Sequence, residues 1–179
     1  TITTATLNNY GNSTIDSTVL NTLTLSGGAV ASGTLGLNRT TADTTGTATT
    51  LGLNLGGGGF GAITGTHAAE FTTVNVAASG AANVLANFTG AAVRALNVSG
   101  DQNLTMTAAA LLANVTSVNV TNTGNTTFGT TTLNNASSFT GAGGAESVII
   151  GATTSAITTG DGNDTVTLTG AEDGEKKWQ

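Results

Sequence analysis

Phe71-Thr-Thr-Val-Asn-Val76, Val93-Arg-Ala-Leu-Asn-Val98 and Val115-Thr-Ser-Val-Asn-Val120 repeat one pattern, beginning at equal intervals along the chain. Within each segment apolar and polar residues alternate, the period-two signature of a half-buried strand. Val74, Leu96 and Val118 form one column, and Val76, Val98 and Val120 form another; Asn75, Asn97 and Asn119 form a third on the opposite face. Further along each repeat, Val84, Met106 and Phe128 occupy one position, with Ile150 one repeat further on, while Gly80, Gln102 and Gly124 share a turn position. Upstream the pattern loosens into Leu51-Gly-Leu-Asn-Leu55 with Ile63, and before that Leu20 with Leu23-Thr-Leu25. The spacing predicts about seven coils of one unit.

A coil of about 22 residues is too short for a strand–helix–strand crossover, which needs roughly 30 residues. It fits short strands joined by tight turns, so the expected fold is all-β, a right-handed parallel β-helix or β-roll over residues 1–170. No coil buries its inward face alone; stacking at about 4.8 Å turns each sequence column into a ladder. The Asn column is expected to face outward, its amides bonded along the stack.

Composition supports this architecture and excludes others. Among 179 residues, 39 are threonine and 26 glycine, with neither proline nor cysteine. Threonine and valine suit a pleated surface, whereas glycine, asparagine and aspartate supply turns. Without cysteine there is no disulfide framework and no thiolate metal site. Four basic residues against ten acidic ones, a net charge of −6, exclude the basic surface that nucleic-acid binding requires. No apolar run approaches the roughly 20 residues of a membrane-spanning helix, so membrane insertion is not expected. Residues 171–179, holding Glu172, Asp173, Glu175, Lys176, Lys177 and Trp178, are compositionally foreign and are set apart as a charged tail.

Towards the C-terminus the period shortens to nine: Gly141–Ile149, Ile150–Thr158 and Thr159–Thr167 align with Val148, Ile157 and Val166 at the eighth position and Glu146, Ser155 and Asp164 at the sixth. This approximates the G-G-x-G-x-D-x-U-x nonapeptide of calcium-binding RTX repeats. In a β-roll each nonapeptide makes half a turn, so the first and third stack on the same side and bring Glu146 above Asp164. Two carboxylates about 4.8 Å apart repel unless a cation lies between them. Calcium suits that gap, since it accepts six to eight oxygens in forgiving geometry. Glu146 and Asp164 are the expected side-chain ligands, with Asp161 as a further candidate. Carbonyls of Gly141, Gly143 and Gly144, and of Thr159 through Asn163, complete the expected shell. Asp101, in Ser-Gly-Asp-Gln-Asn, is a weaker candidate that an Asx turn also explains. Asp16, Asp43 and Glu70 are expected as solvated loop residues.

Thr14-Ile-Asp-Ser-Thr18, Phe71–Val76, Leu96-Asn-Val-Ser-Gly-Asp101, the segment from Phe139 to Thr154 and Gly162-Asn-Asp-Thr-Val-Thr167 occur in an order similar to the lattice-forming part of Caulobacter-type S-layer proteins. The similarity covers about residues 12–170. It implies secretion by a type I exporter, a calcium-stabilised β-helical body and self-association into a two-dimensional crystal on the bacterial cell surface. Any contact with cell-surface polysaccharide is expected from regions outside the present sequence. The alternative is an RTX-type adhesin module that binds a glycan or a protein partner. An enzyme is not expected: His67, Tyr10, Arg39 and Arg94 are too few and too scattered to build an active site, and no nucleophile elbow, P-loop or H-E-x-x-H motif is present. Gly56-Gly-Gly-Gly-Phe-Gly61 is expected as a turn, and His67 as a loop residue.

Overall fold

Alternating apolar and short polar residues fold into an all-β, parallel β-solenoid of about seven turns with ~22-residue coils. The computed structural model describes residues 2–28, 33–39 and 47–169; the tail 171–179 and Asp43 lie outside the described residues. Each coil sends one strand into each of two opposed faces. The first coil supplies β1 (Thr4–Asn8) and β2 (Ser13–Asp16), and the second supplies β3 (Thr22–Gly28) and β4 (Leu35–Asn38). In the third coil one long strand, β5 (Thr50–Thr64), serves both faces. Then follow β6 (Thr73–Ala78) with β7 (Asn83–Phe88), and β8 (Ala95–Gly100) with β9 (Leu104–Met106). After these come β10 (Ser117–Val120) with β11 (Thr126–Leu133), and β12 (Ser138–Thr140) with β13 (Glu146–Ile150). The last pair is β14 (Ile157–Thr158) with β15 (Thr165–Leu168).

The three central columns have the register the repeat predicts. Val74 pairs with Leu96 and Leu96 with Val118, while Val76, Val98 and Val120 pair in the same way. These six side chains are buried, each stabilising the stack by about 1.5–3 kcal/mol. Asn75, Asn97 and Asn119 line up on the outer side, where Asn97 Nδ2 donates to Asn75 Oδ1 at 2.8 Å. Upstream the coils are unequal: Leu23 faces Leu53, and Leu51 faces Val74. Downstream they shorten, with Phe139 facing Ile157 and Val148 facing Val166. Strands must hold their inward–outward phase to keep the core covered, so the corners absorb every change of coil length.

The other face departs from the expected columns. Met106 pairs with Leu85 instead of Val84, which is 43% exposed. The corner before β7 is one position longer than the corner before β9, and a single residue exchanges the two faces of a strand. Ile150 faces Leu133 instead of Phe128, because β11 makes a detour between Thr127 and Thr132 opposite β13. Ile63 faces Phe88, leaving Phe60 opposite Leu85. Across the core, the rings of Phe128 and Phe139 meet edge to face with centroids 6.1 Å apart.

The glycine run expected as a turn is the corner of the continuous strand β5. Its first half pairs with β3 and β6, its second half with β4 and β7. Gly58 turns the chain at φ +125°, and a Cβ there would stand 2.3 Å from the Gly28 carbonyl oxygen. Only glycine allows both the dihedral and the approach. The amide of Gly57 is held by Asn83 Oδ1 at 2.8 Å.

Candidate metal centre

The solenoid places the first and third nonapeptides on one corner. Residues 141–145 lead into β13 and residues 159–164 into β15; Ser147 pairs with Thr165, so the two turns stack. The middle nonapeptide, with Ser155, crosses the opposite corner between β13 and β15. Gly124, Gly144 and Gly162 follow one another up the corner: a Cβ on Gly144 would lie 2.2 Å from the Gly124 oxygen, and one on Gly162 would lie 2.2 Å from the Gly144 oxygen. Bare Cα atoms let adjacent turns close on each other here.

After each of these glycines the chain enters a strand with its second residue directed inward. Asn83 pairs with Leu104, Leu104 with Thr126, and Thr126 with Glu146. Asp164, just before Thr165, continues this column into the last coil. Glu146 is therefore an inward-facing residue. It is 1% exposed, and neither of its carboxylate oxygens has a hydrogen-bond partner. Its backbone N–H donates to Asp164 Oδ1 at 2.9 Å, which sets a second carboxylate against it. Burial first, then the negative charge of Asp164 and a proton the two groups can share, push the Glu146 carboxyl from 4.5 up to about 7. A buried carboxylate without a donor is costly unless a proton or a cation neutralises it.

The other expected site residues are distributed unevenly. Gly141 lies against Glu146: a Cβ there would be 2.7 Å from Glu146 Oε2 and 2.1 Å from the Thr159 oxygen. Thr159 and Asp161 belong to the stacked turn above, where the Asp161 N–H donates to the Ala142 oxygen at 2.6 Å. The side chains of Asp161 and Asn163 are exposed, as is Gly143, whose Cα has open space around it. Asp101 occupies the same corner two coils earlier, with the 121–125 turn between it and the Glu146 turn, and it is exposed. Among the described residues no three His, Cys, Asp or Glu side chains cluster as metal ligands. The site is thus a pair of carboxylates whose remaining oxygens would come from backbone and amide groups. An all-oxygen donor set of this kind matches the ligand chemistry of a hard cation such as Ca2+.

Two further polar side chains, unremarked in the sequence, belong to this corner. Asn122 and Thr126 are completely buried in the coil beneath Glu146. Asn122 Nδ2 donates to the Gln102 oxygen at 2.9 Å, the Gly124 oxygen at 2.9 Å and Thr126 Oγ1 at 3.2 Å, yet Asn122 Oδ1 has no partner. Thr126 had a signal: Gly124-Asn-Thr-Thr127 parallels Gly162-Asn-Asp-Thr165, with threonine where the nonapeptide has an acid; Asn122, opposite Gly160 in that alignment, had none.

On the opposite corner His67 lies in a turn but is completely buried, against Phe71 with ring centroids 4.5 Å apart. Its Nδ1 stands 3.3 Å from Glu70 Oε2, and Arg39 Nη1 donates to Glu70 Oε1 at 2.7 Å, so Glu70 is an ion-pair partner where a solvated loop residue was expected. The Arg94 guanidinium donates to the carbonyls of Ala91, Val93 and Asn114. No helix among the described residues is long and apolar enough to cross a membrane. The chain matches no protein-family model and no characterised protein sequence.

Proposed function

We propose that this chain is a structural module of a secreted bacterial surface protein, a β-solenoid whose C-terminal corner is ordered by calcium and whose sheet faces serve self-association into a lattice. The observation that carries the calcium reading is the buried Glu146 carboxylate, lacking any donor and set against Asp164 in the next coil. Calcium neutralises that pair and joins the last two coils. Extracellular calcium modules bind at roughly 10⁻⁴–10⁻³ M, so the corner stays loose in a calcium-poor cytoplasm and tightens outside the cell. The lattice reading draws on the faces: apart from Asp16 and the buried Glu146, the strands among the described residues carry no charged side chain. Uncharged, regular sheets repel one another little, and their rows of Thr, Ser and Asn offer hydrogen bonds to a second copy. No catalytic role is proposed.

Electron microscopy of the chain before and after adding calcium tests the function. Ordered two-dimensional sheets that disperse in EGTA are the expected result. Dispersed monomers that still bind calcium would overturn the lattice reading in favour of an adhesin module.

A further inference from the structure

The inward column that holds Glu146 does not stop at the acidic repeats. Beneath Glu146 lies Thr126, and bonded to Thr126 is Asn122, whose two amide N–H groups are shared among three acceptors while its oxygen accepts nothing. Asn83, on the same corner lower in the stack, provides the contrast: its Nδ2 donates to the Ser79 and Ala81 carbonyls, and its Oδ1 accepts the Gly57 N–H at 2.8 Å. The two buried amides differ in that Asn122 keeps an unused acceptor. With the two Glu146 oxygens, this makes three buried acceptors without donors in consecutive coils of one corner. Buried lone pairs gathered in this way need donors or a cation, and a cation satisfies all three at once.

The amide's orientation is over-determined. Its nitrogen is drawn to the Gln102 carbonyl of the coil below and to Gly124 and Thr126 of its own coil. The oxygen takes part in none of these bonds; coil seven closes directly over this residue, where a Cβ on Gly144 would come 3.3 Å from the Asn122 backbone oxygen. We propose that Asn122 Oδ1 is a third side-chain ligand of the cation held by Glu146 and Asp164, so that one ion joins three successive coils; this rests on the calcium reading above. Thr126 is a positioning residue, its hydroxyl accepting from the amide nitrogen so that the amide oxygen faces the ion. The site lies where the coils shorten, between the Leu96–Val118 step and the Phe139–Ile157 step, and where β11 makes its detour before Thr132. At this junction the coil length changes, and an ion there splices the two repeat types.

Calorimetric titration of the full chain with Ca2+, together with crystals soaked in Tb3+ for anomalous scattering, tests the assignment. The expected result is an ion within about 2.3–2.6 Å of both Asn122 Oδ1 and a Glu146 oxygen, with N122A weakening calcium affinity at least about tenfold. An ion on Glu146 and Asp164 with a water or a proton bridging to Asn122 would overturn the inference while leaving the calcium reading intact; so would unchanged affinity in N122A. Absence of any ion at this corner, with no calcium heat from the native chain, would overturn both. Should N122A fail to fold, the ion's position in the native crystals decides.

Discussion

Replacing Glu146 by glutamine keeps the side chain's shape and removes its charge, so the variant separates the cost of a buried carboxylate from the packing around it. An unfolded glutamate titrates near 4.5, and Glu146 in the fold near 7. Below pH 4.5 the carboxyl is protonated in both states and imposes no penalty. As pH rises from 4.5 to 7 the unfolded chain releases its proton first, and the folded state loses stability. Above pH 7 the loss is complete, about 3 kcal/mol for a displacement of this size at about 1.36 kcal/mol per unit. In E146Q the penalty is absent, and the new amide can donate to the Asp164 carboxylate. In EGTA at pH 8 the variant should therefore melt about 6–12 °C above the native chain, at roughly 2–4 °C per kcal/mol for a domain of this length; at about pH 3.5, a unit below the unfolded value, the two should nearly coincide. Calcium narrows the difference to about half. At tenfold excess over Kd the ion adds about 1.4 kcal/mol to the native chain and little to the variant, which has lost a ligand. Circular dichroism melts at both pH values, with EGTA or calcium, measure all of this. A variant that melts no higher than the native chain in EGTA at pH 8 refutes the electrostatic argument. Equal stabilisation of both proteins by calcium refutes the assignment of Glu146 as a ligand.

Three other outcomes are expected. L85A should cost about 2–5 kcal/mol in urea unfolding, as a truncation of a completely buried side chain, whereas V84A should stay within about 0.5 kcal/mol; the reverse ranking would mean that β7 is out of phase. G162A, at φ +130° and 2.2 Å from the Gly144 oxygen, should lower stability by at least about 2 kcal/mol and weaken calcium binding, while G143A, with open space at its Cα, should leave both unchanged. D101N should bind calcium as tightly as the native chain by calorimetry, because its turn is separated from Glu146 by an intervening coil; weaker binding would place Asp101 in the site.

The repeat at 71–120 determined the fold, because a period-two pattern recurring once per coil has one economical way to bury its apolar columns, and the register of Val74, Leu96 and Val118 follows directly. The nine-residue phasing of the last repeats likewise sufficed to bring Glu146 and Asp164 into adjacent turns. Tertiary structure alone decided the corners. Whether Val84 or Leu85 faces the core depends on one added turn position, and the pairing of Ile150 with Leu133 depends on the detour in β11; neither changes the local alternation. Burial of Glu146 was equally invisible in one dimension. A turn motif specifies that a carboxylate follows a glycine, but whether the carboxylate meets water or the core depends on where the next strand begins. The acceptor left open on Asn122 is more remote still, since a side chain's unused lone pair becomes evident only when the neighbours on every side are in place.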